Sequence, residues 1–228
     1  MRGQVPVLPP ALALPAAPKI LVAGCGTGRD AISLAAEISG AQVLAIDLSL
    51  SSIAYAKRMA DELGVCNIEF RHADILELGG LGERFDIIYS AGVLHHMRDP
   101  QAGLATLRGL LRAGGMMSIA LYSAPGRGGE RAGREAIRSR GVPSSDDGIR
   151  AFRAELICGS PPAALQLLLQ YSDFYSMSMC RDLLFHVEEH EYHLPQIAAM
   201  LAANNLALIG FVDPAPAALS AYVQRFPD

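Results

Sequence analysis

The run Lys19-Ile-Leu-Val-Ala-Gly-Cys-Gly-Thr-Gly28 carries an apolar strand straight into glycines at alternate positions. Glycines so spaced take φ > 0 without a Cβ penalty, so the turn bares backbone N–H groups to a ligand's carboxylate or hydroxyls. A helix from about Arg29 to Ser39 points its N-terminal dipole at the same place. Strand, turn and helix in this order imply an open sheet that binds its ligand at the carboxyl ends of its strands.

A glycine loop alone suits a dinucleotide, a nucleotide phosphate or a bare turn, so the next strands must discriminate. Ala41-Gln-Val-Leu-Ala-Ile-Asp47 reads as a second buried strand, and Asp47 lies 23 residues past Gly24, where a carboxylate accepts from two ribose hydroxyls. A third strand near 67–71 leads to Asp74-Ile75. A carboxylate there can accept from an exocyclic adenine amine while the next backbone N–H bonds the ring. The three loops describe an adenosine. A dinucleotide loop wants a third small residue where this chain has Arg29, which opposes a nicotinamide-dependent oxidoreductase.

Val22-Ala-Gly-Cys-Gly-Thr-Gly28, Ala45-Ile-Asp-Leu-Ser49, Ala73-Asp-Ile75, Phe85-Asp-Ile-Ile-Tyr-Ser90 and Val93-Leu-His-His96 together resemble the ordered motifs of class I S-adenosylmethionine-dependent methyltransferases over about residues 19–122. The resemblance implies S-adenosylmethionine as cofactor, bound by Gly24, Gly26, Gly28, Asp47, Leu48, Asp74, Ile75 and Ser90, with Leu48 against the adenine and Ser90 or Ala91 beside the methionine portion. Asp173-Phe-Tyr-Ser176, Arg181 to His190 and Leu206 to Phe211 are similar to the methyltransferase domains that bacteria often fuse to tetratricopeptide repeats. That narrower likeness implies activity without naming an acceptor.

The rhythm of the chain agrees with an α/β fold, a doubly wound and mostly parallel Rossmann-like sheet. Strands are expected near 19–23, 42–46, 67–71, 85–90 and 116–122, with helices near 29–39, 50–63 and 100–112. Asp99-Pro100 is a helix start and Gly114-Gly115 a stop. Residues 1–18 form an irregular lead-in or linker, 19–123 the cofactor-binding core, and 124–194 a helical insertion after the fifth strand, with helices near 130–140, 146–158, 161–171 and 179–190. This insertion is a candidate acceptor lid. Residues 195–228 return to the core through a last helix and a sixth strand at 206–212. The Asp213-Pro-Ala-Pro216 breaker precedes a stretch at 217–226 that reads as a short helix, so the usual seventh strand is not visible. An uncovered sheet edge predicts a homodimer contact there, or completion by another segment.

With 228 residues, 51% of them hydrophobic, the chain can bury one substantial domain, and no apolar run is long enough to span a bilayer. The four cysteines fall singly, which suits a reducing cytosol and opposes a zinc knuckle or disulfide framework. Prolines through residues 1–18 make a poor signal peptide, so the expected location is cytoplasmic. The formal net charge of −4 gives no whole-chain attraction to a polyanion. Nucleic acid is disfavoured, although Arg127, Arg131, Arg134, Arg138 and Arg140 could form either a basic patch or a solvated helix face. The expected acceptor is a small molecule or a protein side chain.

Methyl transfer from a sulfonium is an in-line displacement that needs alignment and loss of water, with deprotonation for a protic acceptor. His95 and His96 follow the fourth strand, where either could serve as general base or hydrogen-bond donor, or simply pack or cap the loop. The strand ends Tyr89-Ser-Ala-Gly92, without the Asn/Asp-Pro-Pro-aromatic signature of adenine and amide N-methyltransferases. His186 and His190 stand i,i+4 on an expected helix, yet no third ligand follows at a fixed offset, so no metal is expected. Arg181, Asp182, His186 and Glu189 read as a polar wall of an acceptor pocket with Phe174 and Tyr175 as its aromatic floor, or else as a buried network that anchors the insertion. A cofactor-binding module without catalysis is the alternative for the whole chain.

Overall fold

Apolar residues in unbroken runs, such as Ile20-Leu-Val-Ala23, mark strands covered on both faces. In a computed structural model, which describes residues 14–186, 188–212 and 224, these runs build a five-stranded sheet of Lys19–Ala23 (β1), Gln42–Asp47 (β2), Ile68–His72 (β3), Phe85–Ala91 (β4) and Leu111–Ala120 (β5). The order is β3-β2-β1-β4-β5 and every pairing is parallel. The chain winds outward from β1 to β3, then returns to the other side of β1 for β4. The carboxyl ends of β1 and β4 therefore flank the switch point where such sheets bind ligands.

Helices Arg29–Glu37 (α1), Leu50–Glu62 (α2) and Pro100–Leu110 (α3) connect the strands. Ser49 caps α2 by accepting from the Ser52 N–H, and Asp99 caps α3 by accepting from Ala102. On one face, Ala31, Leu34 and Ala35 of α1 pack with Ile20, Val22, Val43, Ala45, Ile87 and Met116. β5 begins at Leu111, five residues before its expected start, because its first residues pair with Phe85 across a bulge.

Backbone contacts divide the chain into two units. The first holds the sheet: described residues up to Leu94, Asp99–Ala120, and those from Ala198. The second takes His95–Arg98 and Leu121–Ile197. It contains the two-residue strands Tyr122–Ser123 (β6) and Glu191–Tyr192 (β7), which pair with each other, and helices Gly128–Arg140 (α4), Asp146–Cys158 (α5), Ala163–Gln166 (α6) and Met177–Phe185 (α7). Its separate core gathers Ile137, Ile149, Phe152, Leu156, Leu165, Leu168, Phe174, Leu183 and Leu184. Leu194–Ala203 (α8) follows.

Three expectations change. The helix foreseen at 179–190 ends at Phe185, because His186 turns to extended backbone at its C-cap; His186 and His190 therefore do not share a helix face. The run 206–212 enters neither sheet, and Leu208, Ile209, Phe211 and Val212 are exposed. Prolines 214 and 216 directly after it lack the N–H groups with which a following strand would pair. The insertion also begins earlier than expected, recruiting His95–Arg98 from the loop after β4. The helix expected at 217–226 lies outside the described residues apart from Gln224. No described helix is long and apolar enough to cross a membrane.

Candidate functional site

In the sheet unit the glycine turn is tied to the end of β2: the N–H groups of Gly24 and Cys25 both donate to the Ile46 carbonyl, at 2.9 and 2.8 Å. All three glycines have positive φ, but for different ends. A Cβ on Gly28 would stand 2.6 Å from the Ala56 Cβ, so this glycine lets α1 approach α2. A Cβ on Gly26 would meet nothing within 4 Å, so the turn is open where its backbone faces out. Gly24 packs against Val93 of the loop after β4.

Asp47 joins the first two loops. Its Oδ2 accepts from the Gly26 N–H at 2.7 Å and its Oδ1 from the Ser49 N–H at 2.8 Å, and each oxygen keeps a lone pair for a ligand hydroxyl. Leu48, two-thirds exposed, offers an apolar surface beside it, and the His72 Nε2 lies 2.9 Å from its carbonyl. Asp74 accepts from the Leu76 N–H at 2.9 Å and caps the short 3-10 helix Ile75–Gly80. Its second oxygen stays available, whereas the Ile75 side chain is buried and leaves only its first-turn N–H for a ligand.

Ser90 corrects the expectation placed on it. Its hydroxyl is fully buried and donates to the Ala23 carbonyl at 3.1 Å, joining β4 to β1 instead of facing a ligand. Ser90→Ala should cost about 1–3 kcal/mol of stability by leaving that carbonyl unsatisfied while leaving cofactor affinity unchanged; chemical denaturation beside calorimetry checks both. Two features escaped the sequence reading. The Tyr89 hydroxyl donates to Asp30 at 3.1 Å, and burial with the Asp30 charge pushes the phenol up to about 12. Burial and then Asp47 likewise push the Cys25 thiol up to about 12, so it is no nucleophile at neutral pH.

In the helical unit the rings form a column. The Arg127 guanidinium lies 3.7 Å from the Tyr122 ring centre, and His95 is 3.7 Å from the same ring. His96 follows 4.3 Å from His95, and His186 3.9 Å from His96. His95 is almost wholly buried, and its carbonyl accepts from the His190 N–H at 2.8 Å. The Nδ1 atoms of His96 and His186 lie 3.1 and 2.8 Å from the Glu188 carbonyl. A carbonyl can only accept, so both rings carry their proton on Nδ1 and a lone pair on Nε2. Burial, against the favourable Glu188 carbonyl, holds the His96 imidazole below its ordinary 6.5.

Of the proposed polar wall, Asp182 and His186 come together beside His96, while Phe174 and Tyr175 do not form a shared floor. Phe174 is fully buried in the unit's core, where the apolar surface of α5 and α7 claims it. Tyr175 is half-exposed and its hydroxyl donates to the Leu169 carbonyl at 2.9 Å. Arg181 bonds Asp146 at 2.7 Å and the Ser144 carbonyl, pinning α7 to the start of α5. Of the four substrate candidates only His186 joins a catalytic candidate, His96. The Glu189 side chain is buried and accepts from Arg127 at 2.7 Å and from Arg134 at 2.6 Å, as the alternative of a buried anchoring network expects. Arg131 pairs with Glu191, Arg138 with Glu135 and Arg140 with Glu155, so the arginine series is spent on carboxylates and offers no basic patch.

Residues 20–115 match the family model described as Methyltransferase domain. An uncharacterised protein of Synechococcus sp. is 33% identical over 205 residues, which are 86% of this chain and 49% of that protein. The tRNA 5-carboxymethoxyuridine methyltransferase of Escherichia coli is 37% identical over 110 residues, 47% of this chain and 41% of the enzyme. Among solved structures, PKMT2 from Rickettsia typhi in complex with AdoHcy superposes with a TM-score of 0.69 at 22% identity, covering 95% of this chain and 46% of that one. The chain thus spans about half the length of these relatives or less, and the last likeness concerns the fold.

Proposed function

We propose that this chain, whose residues 20–115 match the family model described as Methyltransferase domain, is a class I S-adenosylmethionine-dependent methyltransferase that transfers the methyl group of that cofactor to a nucleophilic atom of a small molecule or a protein side chain. The observation that carries the reading is the Asp47 carboxylate bonded to the Gly26 N–H beside a turn open at that glycine. Asp47 holds the ribose hydroxyls, Asp74 and the Ile75 N–H the adenine edge, and Leu48 its face. The N–H groups in the first turn of α1 take the cofactor's carboxylate. When bound, the cofactor supplies an electrophilic methyl on a sulfonium; the chain's work is to orient it and exclude water.

His96 is the group best suited to take a proton from a protic acceptor. Its Nε2 carries the lone pair, and its depressed pKa keeps it neutral near pH 7. His95, enclosed under Tyr122, positions the loop instead. The helical unit serves as acceptor-binding lid, the chain acts in the cytoplasm without nucleic acid as acceptor, and the exposed 206–212 run is where a second copy or a fused repeat domain completes the structure.

The test is incubation with S-adenosylmethionine and fractionated cell extract, measuring S-adenosylhomocysteine release by the wild type and by Asp47→Ala. Release by the wild type alone is expected. Tight cofactor binding with no release in any fraction would make the chain a non-catalytic cofactor-binding module. A pH series adds a second check. Because burial lowers the folded pKa of His96, protons compete for Nε2 only below the ordinary 6.5, so kcat/KM should be level at neutral pH and fall as pH drops below that value. His96→Gln should lose this acidic limb. The same shift places stability fully above the unfolded pKa, with loss as pH falls through it towards the folded one.

A further inference from the structure

The geometry points to a divalent transition-metal site in the helical unit, formed by His96, Asp182 and His186. One donor atom from each lies within 4.8 Å of the others. Both imidazoles are already in the form a metal requires: the Glu188 carbonyl takes the Nδ1 protons, leaving Nε2 basic, as backbone carbonyls do for ligating histidines. The His96 Nε2 is buried with no hydrogen-bond partner among the described residues. Asp182 is exposed on α7 and makes no hydrogen bond or ion pair among them. The neighbouring carboxylate, Glu189, is committed to Arg127 and Arg134, whereas Asp182 supplies the carboxylate that lies with the two imidazoles and can balance a cation.

Two neutral imidazoles and one carboxylate suit Zn²⁺ or Co²⁺, with a fourth position left to water. Bonds of about 2.0–2.1 Å bring tetrahedral donors to roughly 3.3 Å apart, so donors that lie within 4.8 Å of one another need approach by at most about 1.5 Å, a distance that side-chain rotation at the exposed Asp182 can supply. This set differs from His186 with His190. An ion here occupies the His96 lone pair, so metal loading and proton acceptance exclude each other. Metal is then an inhibitor of transfer; the inhibition rests on the His96 role proposed above, while the binding does not.

The experiment is titration of the full chain with Co²⁺, followed by the intense visible absorption of the tetrahedral ion, with Zn²⁺ as competitor. Saturable binding at one equivalent is expected, weakened at least tenfold in Asp182→Asn and His186→Ala and unchanged in His190→Ala. Asp182→Asn alters an exposed, unpaired residue without changing its shape, so its folding guards the comparison. Absence of saturable absorption, or equal affinity in the two ligand variants, would overturn the site. In parallel, Zn²⁺ should abolish S-adenosylhomocysteine release with the same midpoint, reversibly on chelation. Binding without inhibition would uphold the metal site and remove His96 as the base.

Discussion

Asp47→Ala is expected to weaken S-adenosylmethionine binding by about two orders of magnitude. Two hydroxyl contacts to a carboxylate are each worth roughly 1.5–3 kcal/mol, and 1.4 kcal/mol is a factor of ten. The side chain also restrains the turn, since its Oδ2 holds the Gly26 N–H, so the variant loses both the contacts and the arrangement that presents the glycine backbone. Calorimetric titration of the folded variant checks this. Asp47→Asn, which keeps one acceptor for either Gly26 or Ser49, should fall between the two. An unchanged dissociation constant in Asp47→Ala would remove the adenosine site from these loops.

Glu189→Ala should cost about 3–5 kcal/mol in the helical unit, the usual effect of stranding a buried charge. Arg127, Arg131 and Arg134 face Glu130, Glu189 and Glu191, three cations against three carboxylates, and the side chains of Arg127, Glu130 and Glu189 are at most 8% exposed. Removing Glu189 leaves this cluster with an uncompensated positive charge. Arg134 also donates to the His186 carbonyl at 2.7 Å, so the turn that carries the Glu188 carbonyl loosens with it. Urea denaturation of the full chain should show an earlier transition for the helical unit. Glu189→Gln, which keeps an acceptor for Arg127, should lose less; equal stability of wild type and Glu189→Ala would mean that the network contributes nothing net.

The sheet could be read from the sequence because its signals are local. An apolar run buried on both faces, a glycine turn and the capping pair Ser49 and Asp99 each declare themselves within a few residues. The same holds for the position of Asp47, at the end of β2 beside the glycine turn. The helical unit was read less well because its site depends on distant pairings. β6 and β7 are two residues each and lie almost seventy positions apart. His96 meets His186 only through that fold. Phe174 and Tyr175 are neighbours of similar chemistry, and nothing local told which would enter the core; tertiary packing buried the first and left the second half-exposed. Helical periodicity likewise ran on past Phe185, where the pull of Arg127 and Arg134 on Glu189 accompanies extended backbone. Ser90 sits at a strand end, as a ligand-binding residue would, but its hydroxyl turns into the sheet.

The tetrapeptide His95–Arg98 belongs to the helical unit, although sheet residues precede and follow it. That unit is consequently not a cassette. A fragment spanning 121–197 would lack the ring that stacks on Tyr122 and the carbonyl that receives the His190 N–H, and a sheet domain joined across the gap would still carry two histidines made for another core. Swapping this unit between relatives to change acceptor choice therefore demands two simultaneous grafts, one of them only four residues long.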